Sequence, residues 1–322
     1  MKKSFFIAAI AALSMAVTSC QKFTDGAGGM KYKIIDGDSK EKIQEGDFIS
    51  MGAIIKTEGD STMYDSYEMG QPAFLTAQKP QFQGDLFTAL EMLGEGDSAI
   101  FKLDLDTMTA KSGQPRPENL KGKYMIYTFK INKVIKKANK KDEDFNKEIE
   151  TFFEGEKEKA KNSEAGKIES YLKKNKLDVK TTASGLKYAI EKEGEGAPAK
   201  VGDTIVVHYQ GQFLGGKTFD TSIKEVAEKE NMYNPMREPY EPMKLPIGVG
   251  AVVPGWDEGL MLLPKGTKAT LVLPSKLGYG ENGNQMFPPY TPLAFKVEIV
   301  NIIPQKAAAA GDTTKTTAPD AQ

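Results

Sequence analysis

The sequence predicts an α+β protein in which one small unit occurs twice. Apolar residues alternate with period two in two separate stretches, roughly 30–137 and 181–304. Each stretch is broken once by a short apolar run of helical character, and a Lys- and Glu-rich segment with helical spacing joins them. A length of 322 residues suits two domains with extensions.

Lys2 and Lys3 precede an apolar run from Phe5 to Val17 that is too short for a mature membrane span and suits a secretory signal over residues 1–19. The run ends in Val17-Thr18-Ser19-Cys20, which resembles the lipobox of bacterial lipoproteins. That resemblance implies acylation of Cys20 and a lipid-anchored, extracytoplasmic place in a bacterial cell envelope, most simply facing the periplasm. Residues 20–29 read as a flexible leader.

In the first unit, Tyr32 and Ile34 alternate, Gly46-Asp47 turns, and Phe48 to Ile55 forms a second strand-like run. Phe87 to Leu93 fits one helix stopped at Gly94, and alternation returns at Ala99, Phe101, Leu103 and at Met125, Tyr127, Phe129, Ile131. From 138 to 180 one or two amphipathic helices are expected, interrupted at Gly155 and Gly166, with an apolar stripe that packs on the next domain.

The second unit, 181–304, repeats the order. Gly202-Asp203 answers Gly46-Asp47, Leu262 to Thr267 answers Met92 to Asp97, and Phe295-Lys296-Val297 is expected to answer Phe129-Lys130-Ile131. Ala53 stands where the second unit has Tyr209, and Leu86 where it has Trp256. Nothing answers Tyr279-Gly280, while Tyr64-Asp65 could mimic Phe219-Asp220. Residues 221–241 read as a long loop with a brief helix at Ile223 to Lys229 and no residue the chemistry needs, followed by a strand at Met243, Leu245 and Ile247. Residues 305–322 have nothing to bury and read as a disordered tail.

Composition removes several function classes. Lys plus Arg total 43 against 44 Asp plus Glu, which gives no electrostatic reason for a nucleic-acid partner. One His and one Cys cannot build a Cys/His zinc site, a Cys-His or Ser-His nucleophile is hard to assemble from them, and no intrachain disulfide is possible. His208 lies on the strand face opposite Tyr209 and reads as structural. Carboxylate chemistry and non-covalent catalysis remain, with no metal and no cofactor expected.

If Tyr209, Phe219, Met243, Val252, Val253, Trp256, Phe287 and Phe295 converge, they form an apolar cup with a Trp floor. Its only polar tips are Asp220 and the Tyr279 hydroxyl, which suits a prolyl residue. The segments VVHYQGQ, GGKTFD, VVPGWDEG, LGYG and FPPYTPLAF, in this order and spacing, resemble the FKBP-type peptidyl-prolyl isomerases over residues 181–304, and the first unit resembles the fold only in outline.

The resemblance implies an antiparallel sheet wrapped around one short helix in each unit, and X-Pro isomerisation in the second. It makes Trp256 the pocket floor, Tyr209, Phe219 and Phe295 its walls, and Val252 and Val253 the edge whose backbone meets peptide. Asp220 becomes a buried carboxylate and Tyr279 a hydroxyl donor. Met243 replaces a usual aromatic wall. The partners implied are proline-containing unfolded or exported polypeptides, with the membrane reached through the lipid. A chaperone-like peptide-binding lipoprotein and an envelope scaffold remain as alternatives.

Overall fold

The computed structural model describes residues 22–113, 115–116 and 120–305; the signal segment, Cys20 and the tail from 306 onward lie outside them. The chain runs β1 (Thr24–Asp25), β2 (Lys31–Asp36), β3 (Phe48–Thr57), β4 (Thr62–Asp65), β5 (Ala73–Thr76), α1 (Leu86–Leu90), β6 (Ser98–Asp104), α2 (Leu105–Ser112) and β7 (Tyr124–Ile135). Helix α3 (Asp142–Asn175) follows. The second half is β8 (Lys180–Thr181), β9 (Lys187–Lys192), β10 (Thr204–Phe213), β11 (Thr218–Thr221), α4 (Lys224–Lys229), β12 (Met243–Pro246), α5 (Pro254–Leu260), β13 (Lys268–Leu273) and β14 (Leu293–Ile303).

Both halves are α+β, each a seven-stranded antiparallel sheet against a short helix, and their strand orders coincide: β4-β3-β7-β6-β2-β1 and β11-β10-β14-β13-β9-β8. β5 and β12 pair with the early parts of β3 and β10, whose later parts pair with β4 and β11. Register shifts recur at the same places, Ser50/Met51 and Ile55/Lys56 in one copy, Val206/Val207 and Gly211/Gln212 in the other. An aspartate sews the ends of each sheet together. Asp47 accepts from the Gln44 and Lys137 N–H groups at 2.8 and 2.9 Å, as Asp203 accepts from Lys200 and Gln305 at the same distances.

The register corrects two expected correspondences. The Ser66 hydroxyl accepts from the Ala53 N–H at 2.9 Å, as the Ser222 hydroxyl does from Tyr209, so Ala53 does stand at the Tyr209 position. Tyr64, paired with Ile55, therefore occupies the place of Asp220, paired with Gly211, and Asp65 that of Thr221. The first copy has no carboxylate there. Likewise Ala53 pairs with Phe129 where Tyr209 pairs with Val297, so Tyr127, not Phe129, answers Phe295. A period-two pattern looks the same after a slip of two residues, so the sequence motif could not fix that register.

Two further expectations change. Residues 24–25 pair with β2 and Ala27–Gly29 form a turn, so the leader is ordered at its end. Helix α3 runs unbroken for 34 residues through both glycines. A glycine inside a helix loses about 1 kcal/mol against alanine, a penalty that tertiary packing at both helix ends offsets. Phe145, Ile149 and Phe152 pack on Phe48 and Ile135 of the first sheet; Ile168, Tyr171 and Leu172 pack on Val272 and Ala294 of the second. The stripe thus serves both domains rather than the next one alone. The domains also meet directly, since a Cβ at Gly215 would lie 2.3 Å from the Glu68 carbonyl oxygen.

Candidate functional site

Helix α5 begins with Pro254 at its first turn, where the missing N–H goes unnoticed and φ is already helical. Gly255 lets it lie flat on the sheet: a Cβ there would meet Leu273 Cδ2 at 2.5 Å. This close approach sets Trp256, 4% exposed, into the concave face of β10, β13 and β14. The Tyr209 and Phe295 rings stand edge-on to the indole, with centroids 5.3 and 5.1 Å away.

From Phe295 the rings continue through Phe219 (5.6 Å) and Phe287 (4.9 Å) to Tyr279, stacked on Phe287 at 4.2 Å. Gly211 makes room for this corner, because a Cβ there would sit 2.5 Å from the Phe219 ring. Edge-to-face pairs of this kind contribute about 0.5–1.5 kcal/mol each beyond burial. Phe213, which sequence reasoning passed over, backs both Phe219 and Phe287 at 5.3 and 5.6 Å. Its signal was available: it follows Tyr209 and Gly211 on the same strand parity.

Val252 and Val253 are partly buried against this cluster at the start of α5. Met243 heads β12, paired with Val207, and is 36% exposed, so it stands at the rim rather than among the rings. The indole N–H of Trp256 is buried without a protein partner.

Asp220 is not buried. Its side chain is 42% exposed, and it accepts from the Tyr209 hydroxyl at 2.5 Å, its neighbour's N–H at Thr221, and Arg237 Nη1 at 2.7 Å. Burial, then the bond to Asp220, pushes the Tyr209 phenol up to about 12, so it stays a donor. Burial and the Asp220 charge also raise Tyr279. Contact with Asp220 raises Arg237 further.

Arg237 was not foreseen: the 221–241 loop, expected to carry no residue the chemistry needs, brings this cation onto Asp220. The loop is internally tied: Asn234 caps the Pro235–Arg237 turn, Tyr233 stacks on Tyr240 at 5.9 Å, and Lys224 pairs with Glu238 at 2.6 Å. No spacing in the sequence marks which of its charges folds back. His208 sits outside the cup, its Nδ1 3.0 Å from the Ser222 hydroxyl.

Tyr279 is carried by a loop that α3 holds. Glu164 accepts from both the N–H and the hydroxyl of Ser275, the latter at 3.0 Å, at the base of that loop, and Lys157 donates to Asn282 at 3.4 Å near its tip. The arrangement offers an aromatic socket with a phenol–carboxylate–guanidinium edge and no nucleophile. Its chemistry is binding and distortion, which need no covalent bond to the substrate.

Residues 195–300 match the family model described as FKBP-type peptidyl-prolyl cis-trans isomerase. The chain is 37% identical over 219 residues to the FKBP-type peptidyl-prolyl cis-trans isomerase FkpA of Aeromonas hydrophila, covering 68% of this chain and 69% of that protein. It is 35% identical over 153 residues to FkpA of Escherichia coli K12, covering 48% of this chain and about half (51%) of that protein. A crystal structure of FkpA from Escherichia coli aligns with 52% of this chain and 76% of its own at 32% identity and a TM-score of 0.38.

Proposed function

We propose a function from one premise: the chain belongs to the FKBP-type peptidyl-prolyl cis-trans isomerases, and is an isomerase. The second copy turns over X-Pro bonds in unfolded, exported polypeptides, and the first copy does not. The observation that carries this is the ring socket around Trp256, which exists in one copy only.

Rotation about an amide must break resonance behind a barrier of about 18–20 kcal/mol. The prolyl ring rests on the Trp256 indole between Tyr209, Phe219 and Phe295, and the backbone at Val252 and Val253 meets the flanking peptide. The dry socket disfavours the planar, charge-separated amide, while the Tyr279 hydroxyl donates to a substrate carbonyl and Asp220 orients the Tyr209 phenol. Binding the twisted form better than the planar one lowers the barrier. Uncatalysed X-Pro exchange takes tens of seconds or longer, slow enough to limit folding.

Full-length protein in a protease-coupled assay on an X-Pro tetrapeptide tests this reading. Turnover that Trp256→Leu removes supports it, and an inert parent chain rejects it. The anchor is a separate proposal, supported by the lipobox-like sequence at Cys20. Mass spectrometry of the mature N-terminus should find an acylated Cys20; an unmodified residue rejects the anchor.

A further inference from the structure

The first copy keeps a hollow where the second keeps its socket. We propose that this hollow is a second, non-catalytic polypeptide site, taking a large apolar side chain of the same unfolded chain whose prolyl residue enters the socket at Trp256. The shared substrate rests on the isomerase reading; the hollow is argued from the first copy alone.

The exchanges between copies remove bulk. Ala53 replaces Tyr209, Leu86 replaces Trp256, and Ala73 pairs with Met51 as Met243 pairs with Val207. Ile55, Tyr64 and Phe129 stand where the second copy has the smaller Gly211, Asp220 and Val297, yet they do not close the gap. What remains is an open space of about 390 Å³, walled by those residues with Tyr64, Tyr127 and Phe129. Native cores close-pack, and atoms lining a gap lose their dispersion contacts. A fold freed of function has every small-to-large substitution available to close such a gap. No charged side chain lines it, so its occupant is apolar.

The hollow opens toward the rest of the molecule. Gln71, Pro72 and Phe74 on its lip also line a cleft of about 560 Å³ bounded by the first copy, α3 and residues 284–291 of the second. An aromatic ledge borders the opening, where Phe74 meets Phe153 at 5.1 Å, and the two rings are 36% and 41% exposed. The far wall, including Asn284, Pro288 and Pro289, belongs to the loop that presents Tyr279 and Phe287 to the socket. Hollow and cleft therefore share a lip, and one loop forms the far wall of the cleft and part of the socket.

That arrangement fits an extended chain. One apolar side chain fills the hollow, the backbone crosses the cleft, and Glu154, Glu156, Lys157, Lys159 and Lys167 leave the crossing mixed in charge and tolerant of sequence. The anchoring residue is Leu, Met or Phe, whose burial is favourable enough to matter for binding. A tetrapeptide spans at most about 14 Å when extended, which suits occupation of the socket alone. A long unfolded substrate can occupy both.

The test uses the full chain with two substrates, an X-Pro tetrapeptide and an unfolded protein whose refolding waits on one X-Pro bond. Ala53→Phe fills the hollow; Phe74→Ser with Phe153→Ser strips the exposed ledge and guards against misfolding of the first variant. Both should leave tetrapeptide kcat/KM within about twofold of the parent and raise KM for the protein substrate about tenfold. Unchanged KM for the protein in both natively folded variants overturns the proposal. If the parent fails on tetrapeptides, the isomerase reading falls while the hollow is still decided. Fluorescence anisotropy of a labelled Leu-rich peptide lacking proline then reads it directly: binding that Ala53→Phe weakens about tenfold supports the site, and equal binding overturns it. Sedimentation showing that Ala53→Phe dissolves a dimer makes a second copy the occupant, which also overturns it.

Discussion

The two copies share seven strands in one order, the same two register shifts and the same aspartate at the first turn, yet differ at nearly every side chain facing the concavity. The shared features are made by the backbone, in strand pairing, register shifts and turns, even where they run beneath the socket at Tyr209 and Gly211. The fold is therefore specified without the side chains of the concave face, which leaves that face free to gain rings or lose them. In the second copy that face carries six aromatic rings in contact sequence; in the first, two of the positions are alanine and leucine.

The sharpest way to break the comparison is to write the first copy's residues into the second. Trp256→Leu or Tyr209→Ala should cut X-Pro turnover by about 100-fold or more, since roughly 2.7 kcal/mol of transition-state contact suffices for that and a large ring supplies it. Circular dichroism should still report a folded chain. Surviving activity would mean that the ring socket is not what separates the copies.

Asp220→Ala is the next step down. Tyr209 keeps its proton on either side of neutrality because its phenol is held up to about 12, but loses the acceptor that orients it. An activity loss of about tenfold with no change in melting temperature is expected, with turnover otherwise flat from about pH 6 to 9. A loss of stability equal to the loss of activity would instead make Asp220 structural.

The copies should also differ in acid. Burial works against the charge on Asp97, but Lys42 at 2.8 Å and the N–H groups of Ser39 and Gly94 outweigh it and hold the carboxyl below its ordinary value. A depressed carboxylate stabilises the fold fully above its unfolded value, about pH 4, and that stability drains as pH falls through the lower folded value. Thr267 holds the corresponding turn in the second copy, its hydroxyl buried without a partner. Asp97→Asn should weaken the first copy by about 1–3 kcal/mol at neutral pH and flatten its acid transition, leaving tetrapeptide turnover unchanged. Denaturant melts followed from pH 7 to 3 provide the check.

The smallest effect belongs to Arg237→Ala. The Arg237–Asp220 pair is some two-fifths exposed, so its energy is slight, but it places a cation at the socket's edge. A change of about two- to fivefold is expected in the preference for Glu-Pro over Lys-Pro peptides. An unchanged ranking would show the 221–241 loop to be indifferent to substrate.

Much of this was legible in the residues. Strand alternation, the helix at Trp256 and the turn pairs at Gly46 and Gly202 are local signals, and local signals survive folding. Which residues of β7 correspond to those of β14 was not legible, because Phe-Lys-Ile and Phe-Lys-Val repeat the same period. Asp220's exposure and Arg237's approach depend on a loop whose fold is set by Tyr233, Tyr240 and Glu238 meeting one another. Helix α2 was missed because its mixed Leu105–Ser112 run has no apolar period, and its start rests on Asp104 accepting from the Thr107 N–H. Helix α3 defied its glycines because both ends are held from outside.

That helix also makes distance and direction inseparable. A helix advances about 1.5 Å and turns about 100° with every residue. Its central glycines have no atom beyond the helix's own turns within 4 Å of where a side chain would begin, so a substitution there meets no neighbouring element. Two inserted residues would move the domains apart by about 3 Å yet swing one of them more than half a revolution. Seven would restore the facing to within about 20° while adding roughly 10 Å. The gap between the two concavities is thus a vernier with rotational teeth: substitutions leave its setting alone, and a lineage can reset it only in strides of about two helical turns.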